Sequence, residues 1–129
     1  MVAVDTNIIV RLLTNDDARK ARKVLALFGS EEIYIGKTVL LETEWVLRYS
    51  YALSQASIVA ALRNILGLPK VSVETPEQVA IALAWCEKGL DFADALHLAG
   101  SYPVRRFATL DKKLAKRGRA ITDVDVLAL

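Results

Sequence analysis

The chain has 129 residues, 53% of them hydrophobic and 25% charged, with a formal net charge of +2. That length suits one compact domain, expected over residues 1–129, and the composition excludes a disordered chain. The single cysteine, Cys86, excludes an intrachain disulfide, and even with the single histidine, His97, it cannot build a zinc site.

The opening MVAVDTN has neither the charged start nor the long apolar run of a signal peptide. No apolar stretch reaches the roughly 18 residues needed to span a bilayer. A cytoplasmic protein with no membrane partner is therefore expected. Val2 to Val4 is a short apolar run of the kind found in a central strand buried on both faces. It ends at Asp5-Thr6-Asn7, where a helix begins with Ile8, Ile9, Leu12 and Leu13 at helical spacing. Thr14-Asn15-Asp16 breaks that helix and caps a second, whose apolar positions are Ala21, Val24, Leu25 and Phe28 and which stops at Gly29-Ser30. Ile33-Tyr34-Ile35 reads as a strand. Thr38 offers a cap for a helix through about Tyr51, and Ser54 for another through about Leu66. After Gly67 and Pro69, Val71-Ser72-Val73 is a short strand. Thr75-Pro76-Glu77 starts a helix that runs to Glu87 or Lys88 and ends at Gly89. Asp91 opens the next, to about Gly100. Arg106 to Thr109 is a strand, and Ala120-Ile121-Thr122 reads as a last short one. Strands alternating with helices imply an α/β fold, with a parallel sheet covered by helices on both faces. In such sheets the active edge lies beyond the carboxyl ends of the strands, where Asp5 and Asp111 are expected.

Asp5 reads either as a helix cap or as a ligand. Glu42 shares a helical face with Val39, Val46 and Tyr49. A carboxylate in an apolar stripe is costly unless a cation or hydrogen bonds compensate it; otherwise that face is partly exposed. Glu44 is followed by Arg48 at i+4, which suits a surface ion pair. Asp91 resembles an N-cap with Asp94 three residues on, as in a capping box. Asp94 either serves that first turn and its dipole or projects toward the strand ends. Asp111, before Lys112-Lys113-Leu114, has the same two readings. Asp123 and Asp125 flank Val124 and are expected to face water.

Taken together, four acids at strand ends or first turns of one α/β domain are expected to converge on one rim. Clustered carboxylates raise each other's pKa unless a cation is present. Hard oxygen ligands suit Mg2+ or Mn2+ rather than zinc, and such an ion activates water and stabilises charge on a phosphate. The lone histidine leaves no serine or cysteine triad, and no glycine-rich loop is present for ATP or NAD. From Arg105 to Arg119 the chain carries Arg105, Arg106, Lys112, Lys113, Lys116, Arg117 and Arg119 against one acid, Asp111. This segment reads as a grip on a polyanion or as a solvated helix face. Leu12, Leu13, Ile58, Val59, Leu62 and Leu66 read as core, or as a dimer face or partner groove.

Four segments, Val4-Asp5-Thr6-Asn7, Glu42 to Leu47, Asp91 to Leu96 and Ala108 to Lys112, resemble the PIN-domain family in order and spacing. The likeness is closest to the VapC toxins of prokaryotic toxin–antitoxin pairs. The resemblance implies a three-layer α/β/α sandwich with a central parallel sheet. It implies Asp5, Glu42, Asp94 and Asp111 as the acids around magnesium, with Thr6, Asn7, Asp91 and Thr109 in supporting positions. It implies a magnesium-dependent endoribonuclease with an RNA substrate, usually a homodimer, held inactive by a VapB-like antitoxin whose C-terminal segment enters the active-site groove. A haloacid dehalogenase-like phosphohydrolase also begins with an Asp after its first strand, but needs a second Asp two residues on, where this chain has Asn7. A receiver-like domain wants a phosphorylatable Asp after its third strand, where Glu74 stands. A non-catalytic RNA-binding or scaffold module stays open as a third reading.

Overall fold

A computed structural model describes residues 1–14 and 16–129. Asn15, part of the expected break after the first helix, lies outside the described residues. The chain divides into two compact units, Met1–Thr75 and Pro76–Leu129.

The first unit runs β1 (Val2–Ala3), α1 (Thr6–Thr14), α2 (Ala18–Ser30), β2 (Ile33–Ile35), α3 (Lys37–Tyr49), α4 (Gln55–Leu66), β3 (Val71–Val73). Its strands pair in parallel in the order β1-β2-β3, with Val2 opposite Ile33 and Ile35 opposite Val73. The middle strand of this sheet is β2, whose Ile33 and Ile35 are wholly buried. The expectation that Val2 to Val4 is buried on both faces is corrected. Ala3 is exposed between half-buried Val2 and buried Val4, the alternation of a strand with one face inward.

Local chemistry explains most of the helix starts. Asp17 caps α2 by accepting from the Lys20 N–H at 3.1 Å, and Ser54 caps α4 through the Ser57 N–H at 3.2 Å. Thr38, expected to cap α3, instead lies inside it. The N-cap is Gly36, which has no side chain to offer, and Glu74 just beyond β3 accepts from the Lys37 N–H at 3.0 Å. Ile58, Val59 and Leu62 are buried core, while Leu12, Leu13 and Leu66 are only half-buried.

The second unit runs α5 (Pro76–Glu87), α6 (Phe92–Gly100), β4 (Arg106–Thr109), α7 (Lys112–Ile121), β5 (Asp125–Ala128). Between α5 and α6, Gly89 turns the chain at φ +109°, a conformation side chains rarely adopt. Strands β4 and β5 pair in parallel, Arg106 opposite Asp125. The strand expected at 120–122 is corrected. Ala120 and Ile121 finish α7, and the strand lies further on, at Asp125–Ala128. Gly118 is buried within that helix. A Cβ there would stand 3.1 Å from Val126 Cγ2 and 3.3 Å from Leu98 Cδ1, so the glycine lets α7 press against β5 and α6. Thr122 then ends the helix, its hydroxyl donating to the Gly118 carbonyl at 2.7 Å. Among the described residues, no helix is long and apolar enough to cross a membrane.

Candidate active site

The first unit carries Asp5 and Glu42. Asp5 follows β1, and its Oδ1 accepts from the Ile8 N–H at 3.2 Å, so it caps α1 while its carboxylate stays exposed. Thr6, the next residue, donates its hydroxyl to Glu42 Oε1 at 2.5 Å and ties α1 to α3. Asp5, Thr6, Asn7, Arg11, Glu42 and Tyr51 line one cavity of about 460 Å³. Two of the four expected acids are thus brought together.

Of the two readings of the Glu42 face, the partly exposed one holds, and the apolar stripe is corrected. Glu42 is exposed, Val39 and Val46 are half-buried, and Tyr49 is 62% exposed. The buried stripe of α3 is Leu40, Thr43, Glu44 and Leu47. Glu44, expected at the surface, is 4% exposed. Its ion pair with Arg48 exists at 3.0 Å, but with the carboxylate inside. Both stripes have helical spacing. A carboxylate is tolerated in the inner one because a cation one turn away neutralises it.

Sequence reasoning missed a network on the same cavity. Asp16 accepts from Tyr51 Oη at 2.7 Å, Arg11 Nη1 at 2.6 Å and Thr14 Oγ1 at 3.1 Å. The Tyr51 phenol, followed by the Arg11 guanidinium, lowers the Asp16 carboxyl to about 2. The network sets a guanidinium on the cavity wall beside Asp5. No spacing marks it, because Tyr51 lies 35 residues from Asp16.

The second unit carries Asp91, Asp94 and Asp111. Asp91 caps α6, accepting from the Asp94 N–H at 3.2 Å. Asp111 caps α7, accepting from the Leu114 N–H at 3.0 Å, and its own N–H donates to Thr109 Oγ1 at 2.9 Å. A cap occupies one oxygen and leaves most of a carboxylate's acceptor sites open. Asp94 is half-buried. Burial, then the charges of Asp91 and Asp111, push its carboxyl above the usual range, while His97 and Arg117 pull the other way. Burial together with like charge is the condition that a bound cation relieves.

Among the described residues, no group of three or more His, Cys, Asp or Glu side chains is disposed to hold a metal ion. The donor set nevertheless fits a hard divalent ion. The candidate acids offer carboxylate oxygens with hydroxyls beside them, and no sulfur.

The basic segment divides in two. Arg105, at φ +59°, stacks 4.0 Å over the Tyr102 ring and pairs with Asp123 at 2.8 Å, and Arg106 pairs with Asp125 at 3.3 Å. Asp123 and Asp125 thus face water, as expected, but each engages an arginine. Arg119 donates to the Val126 carbonyl at 3.0 Å. Lys112, Lys113 and Lys116 stand exposed on α7, and among the described residues no acid pairs with them.

Parallel strands and connecting helices define an α/β protein. A family model for the PIN domain matches residues 2–120, and the chain belongs to that family. Its α/β fold is the one the resemblance implied, and members of the family are generally metal-dependent nucleases. No curated protein matched the chain.

Proposed function

We propose that the protein is a metal-dependent endoribonuclease in which Asp5, Glu42, Asp94 and Asp111 hold a divalent ion, Mg2+ or Mn2+. The observation that carries this reading is the joining of Asp5 and Glu42 on one cavity through Thr6, in a chain of a nuclease family. The raised Asp94 carboxyl supports it. When bound, the ion supplies an activated water and stabilises charge on the phosphate.

The protein's own residues do the rest. Thr6 fixes one oxygen of Glu42, and the Asp5 and Asp111 caps fix the directions of two further carboxylates. Thr109 holds the Asp111 backbone, and Asp91 holds the Asp94 turn. Asn7 lines the cavity beside Asp5. Lys112, Lys113 and Lys116 contact RNA phosphates, which positions the substrate without reading its sequence. Arg105 and Arg106 add positive field while bound to their acids. The likeness to VapC toxins extends the reading to a cytoplasmic homodimer restrained by a VapB-like antitoxin.

Purified protein with Mg2+ is expected to cut RNA, and EDTA to stop it. Asp5→Asn and Asp94→Asn are each expected to abolish cleavage with the circular dichroism spectrum unchanged. Thr6→Val should lower activity roughly 10–100-fold, the usual effect of removing a group that orients a ligand. If the two Asn variants cut at the parent rate, the assignment is wrong. RNA binding without cleavage by the parent would favour the non-catalytic module instead.

A further inference from the structure

Helix α2 places Arg19, Lys20, Arg22 and Lys23 in its first two turns, with no acid in the first. Cations at a helix N-terminus oppose the helix dipole, so the positive charge stands there against local stability. Lys20 and Lys23 are three residues apart and therefore neighbours on the helix surface. Both line a cavity of about 450 Å³ between α1 and α2, and among the described residues no acid pairs with either. Ile8 of α1 with Val24 and Leu27 of α2 makes its apolar floor. Asp5 and Asn7 also line it, and both belong to the cavity that holds Glu42 as well. The volume falls in the range of sites that enclose small ligands.

We infer that the α1–α2 groove is a nucleotide subsite for single-stranded RNA. One base packs on Ile8, Val24 and Leu27, Lys20 and Lys23 contact the flanking phosphates, and the strand continues past Asp5. An apolar floor alone suits a base or a peptide. Three cations line it, and Arg11 is tied to Asp16; the other two, Lys20 and Lys23, together with its continuity with the Asp5 cavity, select a polyanion that carries flat apolar groups. The direction of the strand toward Asp5 rests on the ribonuclease reading; the binding itself does not.

The test compares the full chain with its Lys20→Ala/Lys23→Ala variant in EDTA, by fluorescence anisotropy of a labelled single-stranded oligoribonucleotide. Two lost phosphate contacts should weaken binding about 25-fold at about 0.1 M salt, and make the slope of log affinity against log salt shallower by about 1.4. Alanine is the best helix former, and the lost charges oppose the dipole, so the melting temperature should hold or rise. Weaker RNA binding in a variant at least as stable as its parent is the expected pair of results. An unchanged affinity and salt slope in the folded variant overturns the inference and leaves the groove to a protein segment. A parent that does not bind the oligonucleotide overturns it too. The nuclease reading fails separately: a parent that binds RNA through these lysines but never cuts it keeps the subsite and loses the enzyme.

Discussion

At Asp94 the fold holds a carboxylate where burial and the neighbouring Asp91 and Asp111 disfavour its charge. An acid whose folded pKa is raised binds its proton more tightly folded than unfolded. Stability therefore falls as pH rises through the interval between the two values, and the penalty is complete above the folded one. Asp94→Asn removes that penalty. Without metal, the variant should melt at a higher temperature than the parent at neutral pH, and the difference should vanish near pH 3, where the parent carboxyl is protonated in both states. A lower melting temperature at neutral pH would contradict this electrostatic account. Single residues were unevenly legible. Asp91 as a cap followed from its spacing to Asp94, because capping is local. The Tyr51–Asp16–Arg11 network was not legible, because it joins side chains through the fold rather than along one helix.

Helix α3 shows where the periodicity argument stops. Its sequence offers two helical stripes, and only packing decides which turns inward. The inner one contains Glu44 with Arg48 one turn on, and Glu42 lies on the exposed side. Matched substitutions separate the two roles. Glu44→Gln leaves Arg48 beside a neutral amide and should destabilise the protein by about 2 kcal/mol, the typical value of a hydrogen bond to a charged group. Glu42→Gln should change stability by no more than about 0.5 kcal/mol, as for a surface site, and abolish cleavage. Chemical denaturation with a nuclease assay reads both, and the reverse pattern would exchange the assignments. The start of α3 was not legible for a related reason: its cap comes from Glu74, beyond the neighbouring strand and 37 residues along the chain. The last strand was misplaced because a run as short as Ala120-Ile121-Thr122 suits the end of a helix as well as a strand, and only the packing of α7 against β5 decides between them.

At the scale of the whole molecule, Asp5 and Glu42 belong to the unit Met1–Thr75, and Asp94 and Asp111 to Pro76–Leu129. The family match runs through both. The α/β class and the order of elements were legible, because alternating strand and helix patterns repeat locally along the chain. A service shared by four acids is a different kind of statement, since no local pattern encodes it. The most direct measurement follows the carboxylate carbon signals of isotopically labelled protein as Mn2+ is added. Paramagnetic broadening of Asp5, Glu42, Asp94 and Asp111 together, over one range of concentration, is the predicted result. Broadening of the first pair at a different concentration from the second, or a signal from Asp5, Glu42 or Asp94 that stays sharp at saturation, would contradict it.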